Sequence, residues 1–343
     1  MKKPAVLLAA LTAVTLLAAP VYAADSAVSS AENPASLSSA EDPASREAVN
    51  FYVLSGPTGI GALNLWAASD AGTTANDYTF TLNGANDEVV AAISNGSADI
   101  AAVATNLAAT LYNKTEGGVS VLAVNTTSVL SLLSSGEKPE SIADLKGSTI
   151  YAPGQGANPE YILRYVLSGN GLDPDNDVDI HFVAEGSELP GVWASDPDAF
   201  ILAPQPVATS ILMQNEGSFK LFDMADEWHN ISGDDSALMM GCVIARNEFI
   251  EEHPDAVADF LAEYQTSIES AETDIEGTAA LCESYGIIPK AALAAKALPE
   301  CGLTFVTGEE MKTQLSGYLQ VMFDANAKSV GGAMPGDDFY YGA

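Results

Sequence analysis

The chain has 343 residues, 48% of them hydrophobic, and a formal net charge of −33 from 46 acidic and 13 basic residues. This length and apolar content suffice for packed cores in two or three domains and argue against a disordered chain. The few basic residues argue against nucleic acid as a partner, because neutralising phosphates requires clustered cations.

The first 23 residues have the pattern of a secretory signal peptide. Two lysines precede an apolar segment, and small residues stand at positions −3 and −1 of a cleavage site after Ala23. No cysteine near that site could accept a lipid anchor. We therefore expect a mature protein that is periplasmic or secreted. Residues 24–48, in which "SSAENPAS" returns as "SSAEDPAS", are predicted to be a flexible linker because they lack apolar residues.

Residues 49–125 alternate strand-like and helix-like patterns. Strands are predicted at 49–56, 78–84, 98–105 and 119–125, with helices at 60–69 and 86–96. This β-α-β-α-β order is typical of a mainly parallel sheet flanked by helices.

The rhythm restarts after a polar stretch at residues 134–147 and gives a second α/β unit. Its opening, "STIYAPGQGANPEYILRYVLSGNG", predicts a strand, a glycine-rich loop and a helix, with Asn158 as the helix cap and Pro159 at the first position. Further strands are predicted at 178–183, after residue 199 and at 219–223. A return strand through Ile244 and a mostly helical C-terminal part follow.

The lengths of these parts predict two lobes. The first lobe comprises residues 49–137 plus 242–343, because the C-terminal helices are too few to stand alone, and the second comprises residues 138–241. Two crossing strands would act as hinges.

The glycine-rich stretch "SGPTGIGALNLW" after the first strand fits no nucleotide motif. A P-loop requires Lys and Ser or Thr where Ala62 and Leu63 stand, and a dinucleotide-binding loop requires a glycine where Asn64 stands. The cysteine and histidine spacings match no zinc site, and no nucleophile elbow occurs. We predict neither a metal site nor a cofactor. Whether Cys282 and Cys301 pair in a disulfide is left open.

Four polar loops are predicted at the carboxyl ends of strands, two in each lobe. The first is the glycine-rich stretch, and "APGQGANPE" repeats its design in the second lobe; "ATNLAATLYN" and "APQPVATS" are the other two. Such a loop directs backbone N–H groups from a helix N-terminus towards a ligand. Because ligands of open α/β sheets bind outside the carboxyl ends of strands, the loops predict a cleft between the lobes.

The order and spacing of these motifs resemble the bacterial ABC-transporter solute-binding proteins of the nitrate, sulfonate, taurine and thiamine-pyrimidine class. The resemblance covers nearly all of residues 49–343 and includes "ISNGSADIAAVATNLAATLYNK", "SIADLKGSTIYAPGQG" and "GCVIARNEFIEEHPDAVADF". It implies the two-lobe periplasmic-binding-protein fold of type 2, closing on a small-molecule ligand. The partner it implies is a membrane permease with its ATPase, and the binding protein itself is expected to be monomeric.

The resemblance also implies which residues contact the ligand. They are Ser55, Gly56, Pro57, Thr58 and Gly59 in the first loop, Thr105 and Asn106 in the second, Gly154, Gln155, Gly156 and Asn158 in the third, and Gln205 in the fourth. Many relatives carry Glu-Pro where this chain has Gln205-Pro206, which argues against a ligand that requires an ionised acceptor there. Nearby aromatic residues (Trp66, Tyr112, Tyr151 and Tyr161) either stack on a ligand ring or belong to the core.

The resemblance leaves the ligand and two other functions open. The ligand is a sulfonate, a pyrimidine or a similar small organic molecule. The scaffold also occurs in enzymes of thiamine-pyrimidine and menaquinone pathways, and a third alternative is a receptor that signals to a sensor kinase. The signal peptide and the scarcity of His and Cys near the loops argue against the enzyme.

Overall fold

A computed structural model describes residues 46–343 of the chain. The predicted signal peptide and all but the last three residues of the predicted linker lie outside the described residues. The first part of the fold contains β1 (Ala48–Leu54), α1 (Pro57–Ile60), α2 (Leu63–Asp70), β2 (Asp77–Asn83), α3 (Asn86–Asn95), β3 (Ile100–Ala104), α4 (Thr105–Lys114) and β4 (Val119–Thr126).

The middle of the chain builds the second α/β unit. It contains β5 (Leu130–Ser134), β6 (Thr149–Pro153), α5 (Asn158–Gly169), β7 (Asp179–Val183), α6 (Leu189–Ser195), β8 (Phe200–Pro204), α7 (Val207–Gln214), β9 (Phe219–Asp223) and α8 (Met224–Ser232).

The chain then returns to the first unit and ends in helices. These elements are β10 (Gly241–Arg246), α9 (Asn247–Glu252), α10 (Pro254–Thr273), α11 (Ile275–Ser284), α12 (Ala291–Ala297), β11 (Leu303–Val306) and α13 (Gly308–Ala325).

The first lobe is built on a six-stranded sheet in the order β11-β4-β10-β3-β1-β2. β1 pairs in parallel with β2 and β3, whereas β10 lies antiparallel between β3 and β4. All eight residues of β4 are buried, which explains its nearly continuous apolar run. The four strands that come first in the chain share one direction, and β10 and β11, which follow the second lobe in the chain, oppose them.

The second lobe is built on a five-stranded sheet in the order β7-β6-β8-β5-β9, in which β5 alone runs against the others. The predicted boundary of the first lobe at residue 137 places β5 in that lobe. Sheet pairing instead moves the crossing to residues 127–129. Residues 125–128 ("NTTS") are the only loop signal at the crossing, and they contain neither of the stronger turn residues, glycine and proline.

The helices on one face of the two sheets share a single apolar core. Helices α3, α4 and α13 of the first lobe and α5 and α8 of the second contribute to it. Across the junction of the lobes, the ring of Trp228 lies 5.4 Å from that of Tyr318, and both side chains are fully buried. The opposite faces have separate cores, one under α1, α2, α10, α11 and α12 and one under α6 and α7. Cys282 and Cys301 are both free thiols buried in the former.

Candidate functional site

The first loop is held rigidly against the first sheet. A Cβ atom at Gly59 would stand 2.3 Å from the carbonyl oxygen of Leu54, so only glycine permits this approach. The Asn125 side chain donates from Nδ2 to the Thr58 carbonyl (3.0 Å). Ser55, at the exposed start of the loop, donates its backbone N–H to the Asn83 carbonyl (2.9 Å).

Asn125, which was not among the predicted site residues, joins the first loop to α10. Its Nδ2 also donates to the Tyr264 hydroxyl (2.8 Å), and Oδ1 accepts from Thr126. A Cβ atom at Gly241 would lie 2.6 Å from Asn125 Oδ1 and 2.8 Å from Thr58 Oγ1. A sequence feature could have identified Asn125, because this polar amide directly follows the apolar run "VLAV" at the end of a predicted strand.

The second loop is fixed to the crossing that leads into β10. Thr105 is fully buried, its hydroxyl donates to the Met239 carbonyl (2.6 Å), and its backbone N–H donates to the Met240 carbonyl (3.2 Å). The Thr105 hydroxyl therefore donates its proton to the protein backbone and not to a ligand. We interpret Thr105 as a residue that anchors the start of α4.

The third loop folds onto its own helix. Gly154 and Gly156 both have φ +74°, in the left-handed region that favours glycine. Gly156 donates its N–H to Glu160 Oε2 (2.7 Å) and accepts at its carbonyl oxygen from the Tyr161 hydroxyl (2.9 Å). Gln155 is exposed between these glycines.

The prediction that Asn158 caps α5 is wrong, because its side chain bonds to the other lobe instead. The cap position belongs to Ala157, and Asn158 is the first helical residue. Asn158 Nδ2 donates to Asn106 Oδ1 (3.1 Å), which brings the second and third loops together across the junction. Asn158 Oδ1 is buried without a hydrogen-bond partner in the described part of the chain. Beside it, Asn326 donates to the Tyr161 hydroxyl (2.9 Å).

The fourth loop places Gln205 on the opposite side of the junction. Its side chain is 4% exposed, and its Oε1 accepts from the N–H (3.3 Å) and hydroxyl (2.8 Å) of Thr209. Among residues 46–343, nothing accepts from its Nε2. Gln205 lines a cavity of about 320 Å³, which we call the α7–α12 cavity. The first three loops do not line it.

The walls of the α7–α12 cavity come from both lobes. The second lobe supplies most of them, and Lys296 and Glu300 come from the first. Lys220 of β9 forms an ion pair with Glu300 across the junction. The lining residues are Ser131, Leu133, Gln205, Ala208, Thr209, Leu212, Met213, Lys220, Lys296 and Glu300. Neither lysine is predicted from the sequence, because Lys220 and Lys296 are far apart in the chain and no local motif connects them.

The aromatic candidates are engaged by protein partners. Trp66 stacks on Phe80 with ring centres 4.8 Å apart, and Tyr151 stacks on His181 at 5.2 Å. Tyr112 donates to an Asp338 carboxylate oxygen (2.5 Å), a bond that raises the pKa of the Tyr112 hydroxyl. These contacts favour a structural role over stacking on a ligand.

Comparisons with known proteins agree with this architecture. The chain is similar to an ABC transporter from Parabacteroides distasonis (19% identity, TM-score 0.71, covering 85% of this chain and 98% of that one). It is also similar to the periplasmic aliphatic sulphonate binding protein SsuA from Escherichia coli (17% identity, TM-score 0.65, 83% and 89% covered). Both confirm the predicted α/β two-lobe fold. A sequence comparison with curated proteins finds no match.

The sequence profile of the NMT1/THI5-like family matches residues 77–274, which span β2 to the end of α10 and include three of the four loops. This match confirms the resemblance found in the sequence motifs. The chain belongs to the NMT1/THI5-like family.

Proposed function

We propose that the protein is the extracytoplasmic solute-binding component of an ABC importer. It captures a small organic molecule between its lobes and presents it to a permease that works with an ATPase. The observation that supports this most is the α7–α12 cavity, whose walls come from both lobes and include Gln205 of the fourth loop. A volume of about 320 Å³ lies at the lower end of the range for small-molecule sites.

The protein would bind the solute by closing its lobes around it, and no covalent bond would be broken. A micromolar affinity corresponds to about −8 kcal/mol, which a few hydrogen bonds and the burial of a small apolar group can supply. The residues that line the cavity include no histidine or cysteine, so they offer neither a nucleophilic thiol nor an imidazole base. Among the described residues, no helix is both long enough and apolar enough to cross a bilayer.

A thermal-shift panel on the purified protein tests this function. The panel contains sulfonates, nitrate, pyrimidine precursors, flavins and amino-acid derivatives. A solute that binds the native state and is present at one hundred times its Kd adds about 2.7 kcal/mol of stability, which raises Tm by several degrees. No shift with any solute, together with turnover of one of them, would contradict the proposal and favour the enzyme.

A further inference from the structure

We propose that the α7–α12 cavity binds a small organic acid, with its carboxylate facing Gln205 and Lys296 and its apolar chain against α7. This inference rests on the proposed function and names the chemical class of the solute. Four features of the cavity support it: a buried donor, an available cation, an apolar wall and the lack of an unpaired carboxylate in the lining.

The buried donor is the side-chain amide of Gln205. Two hydrogen bonds from Thr209 fix its oxygen and so determine which end of the amide remains available. Ser131, 3% exposed, lines the same cavity with a hydroxyl that has no hydrogen-bond partner in the described part of the chain. Both groups line the cavity without a protein partner among the described residues, so they are available to donate to a ligand that accepts hydrogen bonds.

The available cation is Lys296. Lys220 is engaged by Glu300 and Asp223, whereas Lys296 makes no ion pair within residues 46–343. In a chain with a formal net charge of −33, most of the surface repels an anion. Lys296 gives the cavity one cation without an ion-pair partner among the described residues, and charge-assisted hydrogen bonds to a carboxylate are stronger than neutral ones.

The apolar wall comes mainly from α7. The apolar lining residues are Leu133, Ala208, Leu212 and Met213. Met213 is 48% exposed, more than any other large hydrophobic residue among those that the structure describes. Leu133 and Ala208 are already buried, so an alkyl or aryl chain would cover mainly Leu212 and Met213 and gain about 25 cal/mol for each Å² of apolar surface removed from water.

A cationic solute would lack a partner here. Glu300 is the carboxylate that lines the cavity, and Lys220 already neutralises it. A cation would therefore have to displace Lys220 and would meet Lys296, whereas an anion leaves the ion pair between the lobes intact.

Isothermal titration with butanoate, hexanoate and octanoate tests the class of solute, with hexanamide as the uncharged molecule of the same shape. We expect at least one acid to bind, hexanamide to bind about tenfold more weakly than hexanoate or worse, and acid binding to weaken between about 0.02 M and about 0.2 M salt. Equal affinity for hexanoate and hexanamide would overturn the inference.

Three variants test the residues. Gln205→Glu keeps the shape of the side chain but replaces the donor by a second acceptor, and we expect hexanoate affinity to fall about tenfold or more. Lys296→Met should weaken binding severalfold. Lys290→Met, at the other end of α12 and outside the cavity lining, is the matched control and should leave affinity unchanged. Wild-type affinity in both Gln205→Glu and Lys296→Met would overturn the inference.

The two proposals fail in different ways. If no acid binds but another solute of the thermal-shift panel does, the class of solute is wrong and the solute-binding function stands. If no solute of the panel binds and one of them is turned over, the proposed function itself is wrong.

Discussion

The two sides of the junction between the lobes differ in chemistry. On one side, which we call the asparagine side, Asn106 meets Asn158 beside a continuous apolar core in which Trp228 lies against Tyr318. On the other, the cavity side, the lobes meet through exposed lysines and an ion pair around the α7–α12 cavity. The first arrangement resembles a domain interior, and the second resembles a wet interface.

This difference indicates where the lobes separate. Exposing one aromatic side chain costs about 4–6 kcal/mol, from about 25 cal/mol per Å² and about 150–250 Å² for each ring system. An exposed ion pair contributes only about 0–1 kcal/mol. We therefore expect the asparagine side to stay closed while the cavity side opens and shuts around a solute.

The largest expected effect is on the asparagine side. Trp228→Ala should lower the free energy of unfolding by about 3–5 kcal/mol, because it leaves a cavity between the lobes. Urea unfolding followed by circular dichroism measures the change. Met213→Ala, the matched apolar truncation on the cavity side, should stay within about 0.5 kcal/mol of the wild type because Met213 is half exposed. Equal losses in both variants would remove the distinction between the two sides.

The next effect concerns the asparagine pair. Asn106→Ala should cost about 1–3 kcal/mol of unfolding free energy, because it leaves the buried Nδ2 of Asn158 without an acceptor. Asn158→Ala should cost less, since it also removes a buried oxygen that has no protein partner. A double-mutant cycle by urea unfolding measures the coupling, and a coupling energy near zero would show that the hydrogen bond does not hold the lobes together.

The smallest effect is expected at the ion pair of the cavity side. Lys220→Ala should cost about 0.2–1 kcal/mol at low salt and less at high salt, but it should speed hydrogen exchange of the α7 and α12 amides. Lys146→Ala is the control, because Lys146 pairs with Asp177 inside the second lobe. Unchanged exchange in Lys220→Ala would place the opening elsewhere.

Local patterns in the sequence predicted most of the fold. The alternation of strands and helices located β1 to β4 and β6 to β10, and the glycine-rich loops fell at the ends of strands as expected. β11 was not predicted from the sequence, because it has only four residues and its pairing with β4 joins distant parts of the chain. β5 was not predicted either, because the short polar cluster "NTTS" before it contains no glycine or proline and β4 and β5 read as one apolar run.

The candidate site was less predictable because its partners are distant in the sequence. The resemblance pointed to Asn106 and Asn158 as separate ligand contacts, yet nothing local indicates that they bond to each other. In the same way, Lys220 and Lys296 share a cavity only because α12 packs against α7. A ligand-binding role for the other loop residues stays a prediction.

The position of β10 has a consequence for folding. This strand supplies the hydrogen bonds that join β3 to β4, so the centre of the first sheet is missing until residues 241–246 are available. A chain that folds from its N-terminus holds one unpaired edge of β3 and both edges of β4 while the whole second lobe forms. Contacts of such long range slow folding. The first lobe therefore starts to fold before the second lobe and completes its sheet after it. The two lobes are separate in shape, but the first cannot complete its folding independently of the chain that forms the second.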